Sequence, residues 1–303
     1  MLVDVTLVRE LVDQTFPEFS SLRLEALQLS GSSNALFRLG EDLLVRLPRQ
    51  PGGSATIQKE ARWLPWIGPL LPTAVPEIVG LGEPGFGYPE RWSVLRWLEG
   101  QVPAVPGPGA QVDPSREALG LDLAAVVRAL GEIDVPSDAL ADPELSWYRG
   151  EPLATRDEQT RRSLHECREI AGLDLDVDAC LDVWEHAMAL PGSAEAVAPR
   201  WYHGDLLAEN LLVRDGRLAA LLDFGSLAVG DPTVDLIAAW EVLDSGAREV
   251  FRRAVGCDDE TWLLGRAWAL SLAVMTFPYY WDSMPLRCHS RLAIARSVLV
   301  DAA

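Results

Sequence analysis

The residues best suited to chemistry lie close together in one stretch of the chain, residues 201–225. His203 stands two positions before Asp205. Asn210 follows Asp205 by five positions, and Asp223 begins an Asp-Phe-Gly triplet. Carboxylate and amide oxygens are the hard donors that Mg²⁺ prefers, and nucleotide phosphates can fill the remaining positions around such an ion. We therefore expect this stretch to bind Mg²⁺ and phosphate.

A tight turn in the middle of this stretch should bring these residues together. Asp215-Gly216 separates two apolar runs, at residues 211–213 and 218–222. Asp-Gly between such runs predicts a two-residue hairpin, because both central positions of the turn need positive φ. Pairing outward from the turn places Asn210 and Asp223 on the same side at the open end. The hairpin is therefore predicted to gather two carboxylates and an amide oxygen.

The stretch WYHGDLLAENLLVRDGRLAALLDFG resembles the catalytic and metal loops of the aminoglycoside phosphotransferase family, whose close relatives are choline and other small-molecule kinases. His-Gly-Asp, in place of the His-Arg-Asp of protein kinases, points away from the protein kinases. The resemblance implies that Asp205 orients or deprotonates an acceptor hydroxyl. It also implies that Asn210 and Asp223 hold Mg²⁺ against the phosphates of ATP or GTP.

The resemblance covers nearly the whole chain and implies an α+β, bilobal, protein-kinase-like fold. Residues 1–99 would form a small β-rich nucleotide-binding lobe, and residues 100–303 a larger helical lobe for catalysis and acceptor binding. The hydrophobic pattern agrees with this division. It predicts strands at 22–29, 35–39, 43–47, 77–82 and 92–98, and helices at 57–67, 119–133, 155–170, 177–188 and 231–243.

The phosphate contacts are predicted in the first hundred residues. The turn at 30–34 lies where a kinase fold has its phosphate-covering loop, and the resemblance favours Ser32 and Ser33 as phosphate-facing; a plain hairpin turn is the alternative. The third strand offers Arg46 where most kinases have lysine, and the following helix offers Glu60 as its partner. The alternative is that Arg46 and Glu60 form an ion pair with a structural role only.

Two other basic residues, Lys59 and Arg49, are weaker candidates for the phosphate contact. Lys59 neighbours a glutamate on the predicted helix and should point about 100° away from it. The base should meet the end of the last strand of the sheet, where the backbone of Trp97 and Leu98 can offer hydrogen bonds. Backbone contacts encode base preference poorly, so GTP stays open beside ATP.

The remaining polar residues near this stretch are expected to support it. Asp231 should cap a helix, Asp235 should brace the loop around Asp205, and His203 should be a support residue. The acceptor is expected to bind the C-terminal helices, where residues 142–149 and 276–285 stand out. Aromatic faces beside a carboxylate can hold an amino sugar, although core packing is the alternative. The possible acceptor contacts are Tyr279, Tyr280, Trp281 and Asp282.

Charge is distributed unevenly along the 303 residues, whose net charge is −19. Residues 1–100 carry 12 acids and 9 bases, and residues 101–303 carry 33 acids and 17 bases, a net of −16. This balance disfavours nucleic acid and anionic membranes as partners and favours a cationic acceptor; a generally acidic, solubilising surface is the alternative. The four cysteines lie far apart, so neither disulfides nor zinc are expected.

Taken together, these patterns predict a small-molecule O-phosphotransferase that moves the γ-phosphate of Mg-ATP or Mg-GTP to a hydroxyl of an aminoglycoside-type antibiotic, an antibiotic-resistance activity. A same-fold kinase for a macrolide, another antibiotic, an amino alcohol or a sugar stays open. A nucleotide-binding pseudokinase is the alternative of another class. The sequence has no apolar run of 18 residues and no secretory start, so a cytoplasmic location is expected.

Overall fold

The computed structural model describes residues 3–27 and 33–302. The chain forms two compact units. The first comprises the described residues up to Leu70 together with Ala74–Gly100 and Ala220–Gly225. The second comprises Leu71–Thr73, Gln101–Ala219 and the residues from Ser226 onward.

The first unit is built on a five-stranded antiparallel sheet in the order β1-β2-β3-β5-β4. Along β2 the burial alternates residue by residue, which is the pattern of a strand with one face on a core. The predicted strand at 22–29 is shorter in the structure, and its last two residues lie outside the described part. The strands are β1 Leu24–Ala26, β2 Asn34–Leu39, β3 Leu43–Pro48, β4 Ile78–Gly82 and β5 Trp92–Arg96.

A helix that the sequence analysis did not predict covers this sheet. This helix, α1, runs over Val5–Thr15, and the carboxylate of Asp4 caps it by accepting the N–H of Leu7 at 2.9 Å. Its buried residues Val8, Leu11 and Val12 join the core of the sheet. Their i, i+3, i+4 spacing was the available signal.

The second helix of this unit, α2, begins four residues before the predicted start and runs over Gly53–Ile67. Residues 50–56 contain a proline and two glycines, a composition that favours a loop. The carboxylate of Glu90, 36 or more residues away, accepts the N–H groups of Gly52 and Ser54 at 2.9 Å. It thereby satisfies donors that a helix start leaves unpaired, which local sequence cannot reveal.

The second unit is mainly helical and contains a two-stranded sheet in which β6 pairs with β9. A further two-stranded sheet pairs β7 with β8, whose last two residues belong to the first unit. Among the residues described, no helix is long and apolar enough to cross a membrane. The strands are β6 Arg200–Tyr202, β7 Leu211–Arg214, β8 Arg217–Leu221 and β9 Ala228–Gly230. The helices are α3 Arg116–Glu132, α4 Ser137–Leu140, α5 Asp157–Cys167, α6 Val177–Met188, α7 Ala238–Glu241, α8 Ser245–Val255, α9 Asp259–Val274, α10 Phe277–Tyr280 and α11 Pro285–Ala302.

The turn between β7 and β8 has the predicted conformation, with φ of 53° at Asp215 and 74° at Gly216. The helix predicted from residue 231 differs from the prediction. Pro232–Ile237 forms a 3-10 helix, and only then does α7 follow. All residues from 233 to 237 are buried, so tertiary packing rather than apolar periodicity sets the winding there.

Candidate functional site

The loop of residues 203–210, hereafter the Asp205 loop, has a glycine at its second position, and the backbone conformation there requires it. Gly204 has a φ of +82°, a conformation that other residues rarely adopt. A Cβ there would also lie 2.8 Å from the carbonyl oxygen of Ser226. Glycine is therefore needed between His203 and Asp205 to let the chain turn tightly after β6.

The buried carboxylate of Asp235 holds this turn from the other side. Its Oδ2 accepts the N–H of His203, and its Oδ1 accepts the N–H of Gly204, both at 2.7 Å. The residue is 1% exposed. Burial raises the pKa of Asp235 from its ordinary 3.8 to about 7, against the opposite effect of the two hydrogen bonds. Asp235 thus contacts the backbone groups that the sequence analysis expected it to brace.

The two other predicted support residues are also buried and hydrogen-bonded to backbone groups. His203 is fully buried, and its Nδ1 accepts the N–H of Asp205 at 3.2 Å. Asp231 caps the 3-10 helix by accepting the N–H of Thr233 at 2.9 Å, and its own N–H donates to Gly150 at 2.9 Å. His203 therefore organises the backbone at Asp205, whereas the Asp231 side chain organises the start of the 3-10 helix.

The Asp205 carboxylate receives a hydrogen bond on each oxygen. Asn210 Nδ2 donates to Oδ2 at 2.9 Å and to the Asp205 carbonyl at 2.9 Å. Arg149 Nη1 donates to Oδ1 at 2.6 Å. Burial alone would raise the pKa of Asp205, but the charge and hydrogen bond of Arg149 bring it below its ordinary value. At neutral pH Asp205 is therefore an ionised hydrogen-bond acceptor.

The sequence analysis did not foresee the contact of Arg149 with Asp205. It had placed the segment 142–149 among the acceptor-binding candidates only as a group. The two residues are 56 positions apart in the chain, so no local spacing could have joined them. Arg149 lies in a short 3-10 turn, Tyr148–Gly150, and is partly buried there.

A second group of charged side chains connects the other end of the Asp205 loop to α11. Arg291 donates to Glu241 at 2.7 Å and to Glu209 at 2.8 Å. Glu241 also accepts the N–H of Ala208 at 2.5 Å. Burial raises the pKa of Glu241 from its ordinary 4.5 to about 7, against the charge of Arg291. This network was likewise not predicted.

In the first unit, Arg46 and Glu60 form a buried two-pronged ion pair. Arg46 Nη1 donates to Glu60 Oε1 at 3.1 Å, and Nη2 pairs with Oε2. Arg46 is 5% exposed and Glu60 1%. Burial lowers the pKa of Arg46, while the charge of Asp223 acts in the opposite direction. The charge of Asp223, a predicted metal ligand, therefore acts on Arg46. Arg49, the weaker candidate, is exposed and donates to the carbonyl of Asn34 at 3.2 Å.

Two buried polar atoms near this ion pair have no hydrogen-bond partner in the part of the chain that the structure describes. They are Arg46 Nε and the hydroxyl of Ser93, and the two residues face each other across β3 and β5. Buried polar groups are ordinarily satisfied. The location therefore suits an additional polar group supplied by a ligand or by water.

The two predicted metal ligands have chemistry that fits Mg²⁺. Asn210 spends its amide nitrogen on Asp205, so its Oδ1 remains to coordinate a cation. Asp223 has a φ of 53°, and its Oδ1 accepts the N–H of Gly225 at 3.2 Å. A Cβ on Gly225 would lie 2.9 Å from that same oxygen, so glycine keeps the carboxylate open. Each residue offers a hard oxygen donor of the kind that Mg²⁺ takes.

The predicted contacts to the nucleotide stay predictions. Ser33 is exposed, and its carbonyl accepts the N–H of Arg49 at 2.8 Å, whereas Ser32 lies outside the described residues. The N–H of Trp97 donates to the Asp42 carbonyl at 2.8 Å, so this donor is already used within the chain. The Trp97 carbonyl and the Leu98 backbone remain predictions.

Among the possible acceptor contacts, Tyr280 has a structural connection to the Asp205 loop. The Arg287 guanidinium lies 5.4 Å from the centre of the Tyr280 ring and 3.9 Å from Glu209. Tyr279 packs edge-on against Tyr280 at 4.6 Å and is 78% exposed. Trp281 is partly buried against a core phenylalanine, and Asp282 is exposed.

The fold and these loops define a kinase-like phosphotransferase, and comparison with known proteins agrees. The sequence model of the phosphotransferase enzyme family, APH, matches residues 25–269, so the chain belongs to this family. No curated protein sequence matches the chain. The predicted family and fold class are confirmed.

Solved structures of similar fold include enzymes that act on two kinds of antibiotic. The GDP complex of wild-type aminoglycoside 2'-phosphotransferase-IIIa superposes with a TM-score of 0.71 at 19% identity, covering 99% of this chain and 100% of that one. Macrolide 2'-phosphotransferase MphH from Brachybacterium faecium superposes with a TM-score of 0.63 at 22% identity, covering 96% and 97%. The GDP and kanamycin complex of APH(2")-IIIa gives 0.67 at 20% identity, covering 97% of each chain. At these identities the likeness establishes the fold alone.

Proposed function

We propose that this chain is an antibiotic kinase, which transfers the γ-phosphate of ATP or GTP to a hydroxyl group of an antibiotic. The observation that carries the proposal is the state of Asp205. Its carboxylate is ionised, fixed by Asn210, and set in a loop whose backbone is held by the buried Asp235. A fixed, ionised carboxylate is what the acceptor hydroxyl of a phosphoryl transfer needs for orientation.

Asp205 acts on the acceptor mainly by aligning it. Because its pKa lies below the ordinary value, the carboxylate is a weak proton acceptor but a good hydrogen-bond acceptor. The hydroxyl can donate to a remaining lone pair of Asp205 and direct its oxygen at the γ-phosphorus for in-line attack. As the bond between the acceptor oxygen and the γ-phosphorus forms, the bond from that phosphorus to the nucleoside diphosphate breaks. The hydroxyl proton passes late to the Asp205 carboxylate and from there to water.

The nucleotide phosphates would be contacted by Arg46, with Glu60 holding the guanidinium and Ser33 near the turn. Asn210 and Asp223 would hold Mg²⁺, which when bound offsets negative charge on the phosphates. The unpartnered Nε of buried Arg46 supports a polar ligand at this place. Structures of similar fold include GDP, ADP and ATP complexes, which supports a purine nucleotide as donor.

The acceptor predicted from the sequence is an aminoglycoside, and a macrolide is its main alternative. Both kinds of enzyme occur among the similar folds, and three of these structures are complexes with kanamycin, streptomycin and gentamicin. The net charge of −16 over residues 101–303 supports a cationic compound. Tyr279, Tyr280, Trp281 and Asp282 would supply the acceptor contacts, of which Tyr280 has the best structural support.

A nucleotide-consumption screen tests the proposal. ATP and GTP would each be offered with kanamycin, streptomycin, gentamicin, a macrolide series and small amino alcohols, and products would be identified by the mass gain of one phosphate. We expect turnover with an antibiotic and its loss in D205A, with nucleotide binding retained. D258A, which removes an exposed helix cap far along the chain, is the matched control and should stay active.

Two results would contradict the proposal. Turnover with amino alcohols but with no antibiotic would identify a metabolic kinase instead. Undiminished turnover in D205A would remove Asp205 from the mechanism.

A further inference from the structure

The two oxygens of the Asp205 carboxylate are both occupied from within the chain. Asn210 bonds one of them, and Arg149 bonds the other at 2.6 Å. The Asp205 side chain is 23% exposed and that of Arg149 16%. An incoming hydroxyl therefore meets a carboxylate that already has a cation in contact with it.

Arg149 is held firmly in this position. Its Nη1 also donates to the Gly204 carbonyl at 2.5 Å, and its Nε donates to the Tyr148 hydroxyl at 3.0 Å. The neighbouring Gly150 carbonyl accepts the N–H of Asp231 at 2.9 Å. A Cβ on Gly150 would lie 2.5 Å from the Tyr202 hydroxyl, so the segment packs tightly against β6. These contacts therefore fix the guanidinium against the Asp205 loop.

Other cations around the Asp205 loop are paired with acids. Arg291 acts on the Asp205 charge from the side of α11, and it is itself paired with Glu241 and Glu209. Arg287 lies 3.9 Å from Glu209. Among the described residues, Arg149 is therefore the cation that contacts the Asp205 carboxylate directly.

We infer that Arg149 is a positioning and specificity-determining residue, whose guanidinium occupies the cation position on Asp205 and selects acceptors whose reacting hydroxyl is flanked by uncharged groups. This inference rests on the proposed function. An ammonium beside the reacting hydroxyl would have to approach Arg149 at short range, where like charges repel and little water remains to screen them. A neutral polyol face meets no such opposition.

Binding of kanamycin, a polycationic probe, tests the inference without turnover. Titration calorimetry would compare wild type, R149M, D205N and the double variant R149M/D205N. We expect R149M to bind kanamycin about tenfold more tightly than wild type, because the freed carboxylate gains one charge-assisted hydrogen bond. D205N alone should bind kanamycin no more tightly than wild type, because it leaves the Arg149 cation uncompensated, and the double variant should lose the gain of R149M.

Further variants separate selection from a merely structural role. R149K keeps a cation and should keep the weak binding of wild type, whereas R149Q should resemble R149M and serves if R149M does not fold. R161M removes another arginine–aspartate pair of the same unit, Arg161 with Asp157 at 2.7 Å, and should leave the affinity unchanged.

Equal kanamycin affinity in wild type, R149M and R149Q, or no measurable binding by any of them, would overturn the inference. A gain in R149M that persists in R149M/D205N would overturn it too, because the gain would then not come from Asp205. The proposed function fails by a different result, which is the absence of nucleotide consumption by wild type with every antibiotic.

Discussion

Replacing Asp235 by asparagine tests how the Asp205 loop is held. In the native protein, both carboxylate oxygens accept a backbone N–H at 2.7 Å, from His203 and from Gly204. Asparagine has a single carbonyl oxygen, so one buried N–H loses its acceptor and faces an NH₂ group. An unsatisfied buried donor costs about 1–3 kcal/mol, and we expect D235N to lower the free energy of unfolding by about this amount at neutral pH.

The pH dependence of this loss gives a sharper test. Burial raises the pKa of Asp235 from 3.8 to about 7, so folding takes up a proton between these values. The stability that this proton contributes is fully present below about pH 4 and is lost as the pH rises through about 7. From about pH 5 to about pH 7 the change is about 3 kcal/mol, at about 1.36 kcal/mol per pH unit. Asparagine does not titrate, so D235N lacks this pH-dependent contribution to stability.

Urea unfolding of wild type and D235N at about pH 5 and about pH 8 measures the difference. We expect the stability difference between the two proteins to be about 3 kcal/mol larger at the lower pH. The control is D258N, an exposed helix cap that accepts the N–H of Thr261 at 2.7 Å and should show a difference independent of pH in this range. A D235N difference that is constant, or that grows with pH, would refute the conclusion that burial dominates the pKa of Asp235.

Three further substitutions test other parts of the structure. G204A places a methyl group 2.8 Å from a carbonyl oxygen at a φ of +82° and should lower stability by about 1–3 kcal/mol, seen as a lower Tm; an unchanged Tm would contradict the tight turn. R46K keeps the charge but loses the two-pronged bond to Glu60, so the KM for nucleotide should rise more than kcat falls; an unchanged KM would place Arg46 away from the phosphates. Burial raises the pKa of Glu241 to about 7, so wild type loses the stability that this proton contributes as the pH rises from about 5 to about 8. E241Q cannot titrate, and its free energy of unfolding should therefore fall less over this range. Urea unfolding measures this, and an equal fall in both proteins would contradict it.

Features set by neighbours in sequence were predictable. The hairpin at Asp215-Gly216 follows from the backbone preference of that pair between apolar runs, and the structure has it. The ion pair of Arg46 and Glu60 was also predictable from the sequence. Side chains alternate along a strand, and one helix follows this strand, so few partners for Arg46 are possible. In both cases the deciding interactions span at most 14 residues.

Features set by distant residues were not predictable from one sequence. Arg149 reaches Asp205 across 56 positions, and Arg291 reaches Glu209 across 82. The start of α2 depends on Glu90 in the same way. Charged side chains of this kind are usually solvated, so nothing in the sequence singles out the few that become buried and paired. Their positions follow from the packing of the helices, which local periodicity does not determine.

The buried pairs also bear on how mutations of the site should be interpreted. Removing one partner of a buried ion pair leaves the other charge uncompensated, and this commonly costs about 3–5 kcal/mol. The pair of Arg149 and Asp205 is partly buried, so a loss of activity in R149M would include a loss of stability as well as a loss of chemistry. In the double variant R149M/D205N neither charge is left alone, so its stability should lie closer to wild type than that of R149M. Because Asp205 would then no longer hold the acceptor, such a variant should fold, bind nucleotide and fail to transfer phosphate, which separates the structural role of the pair from its chemical one.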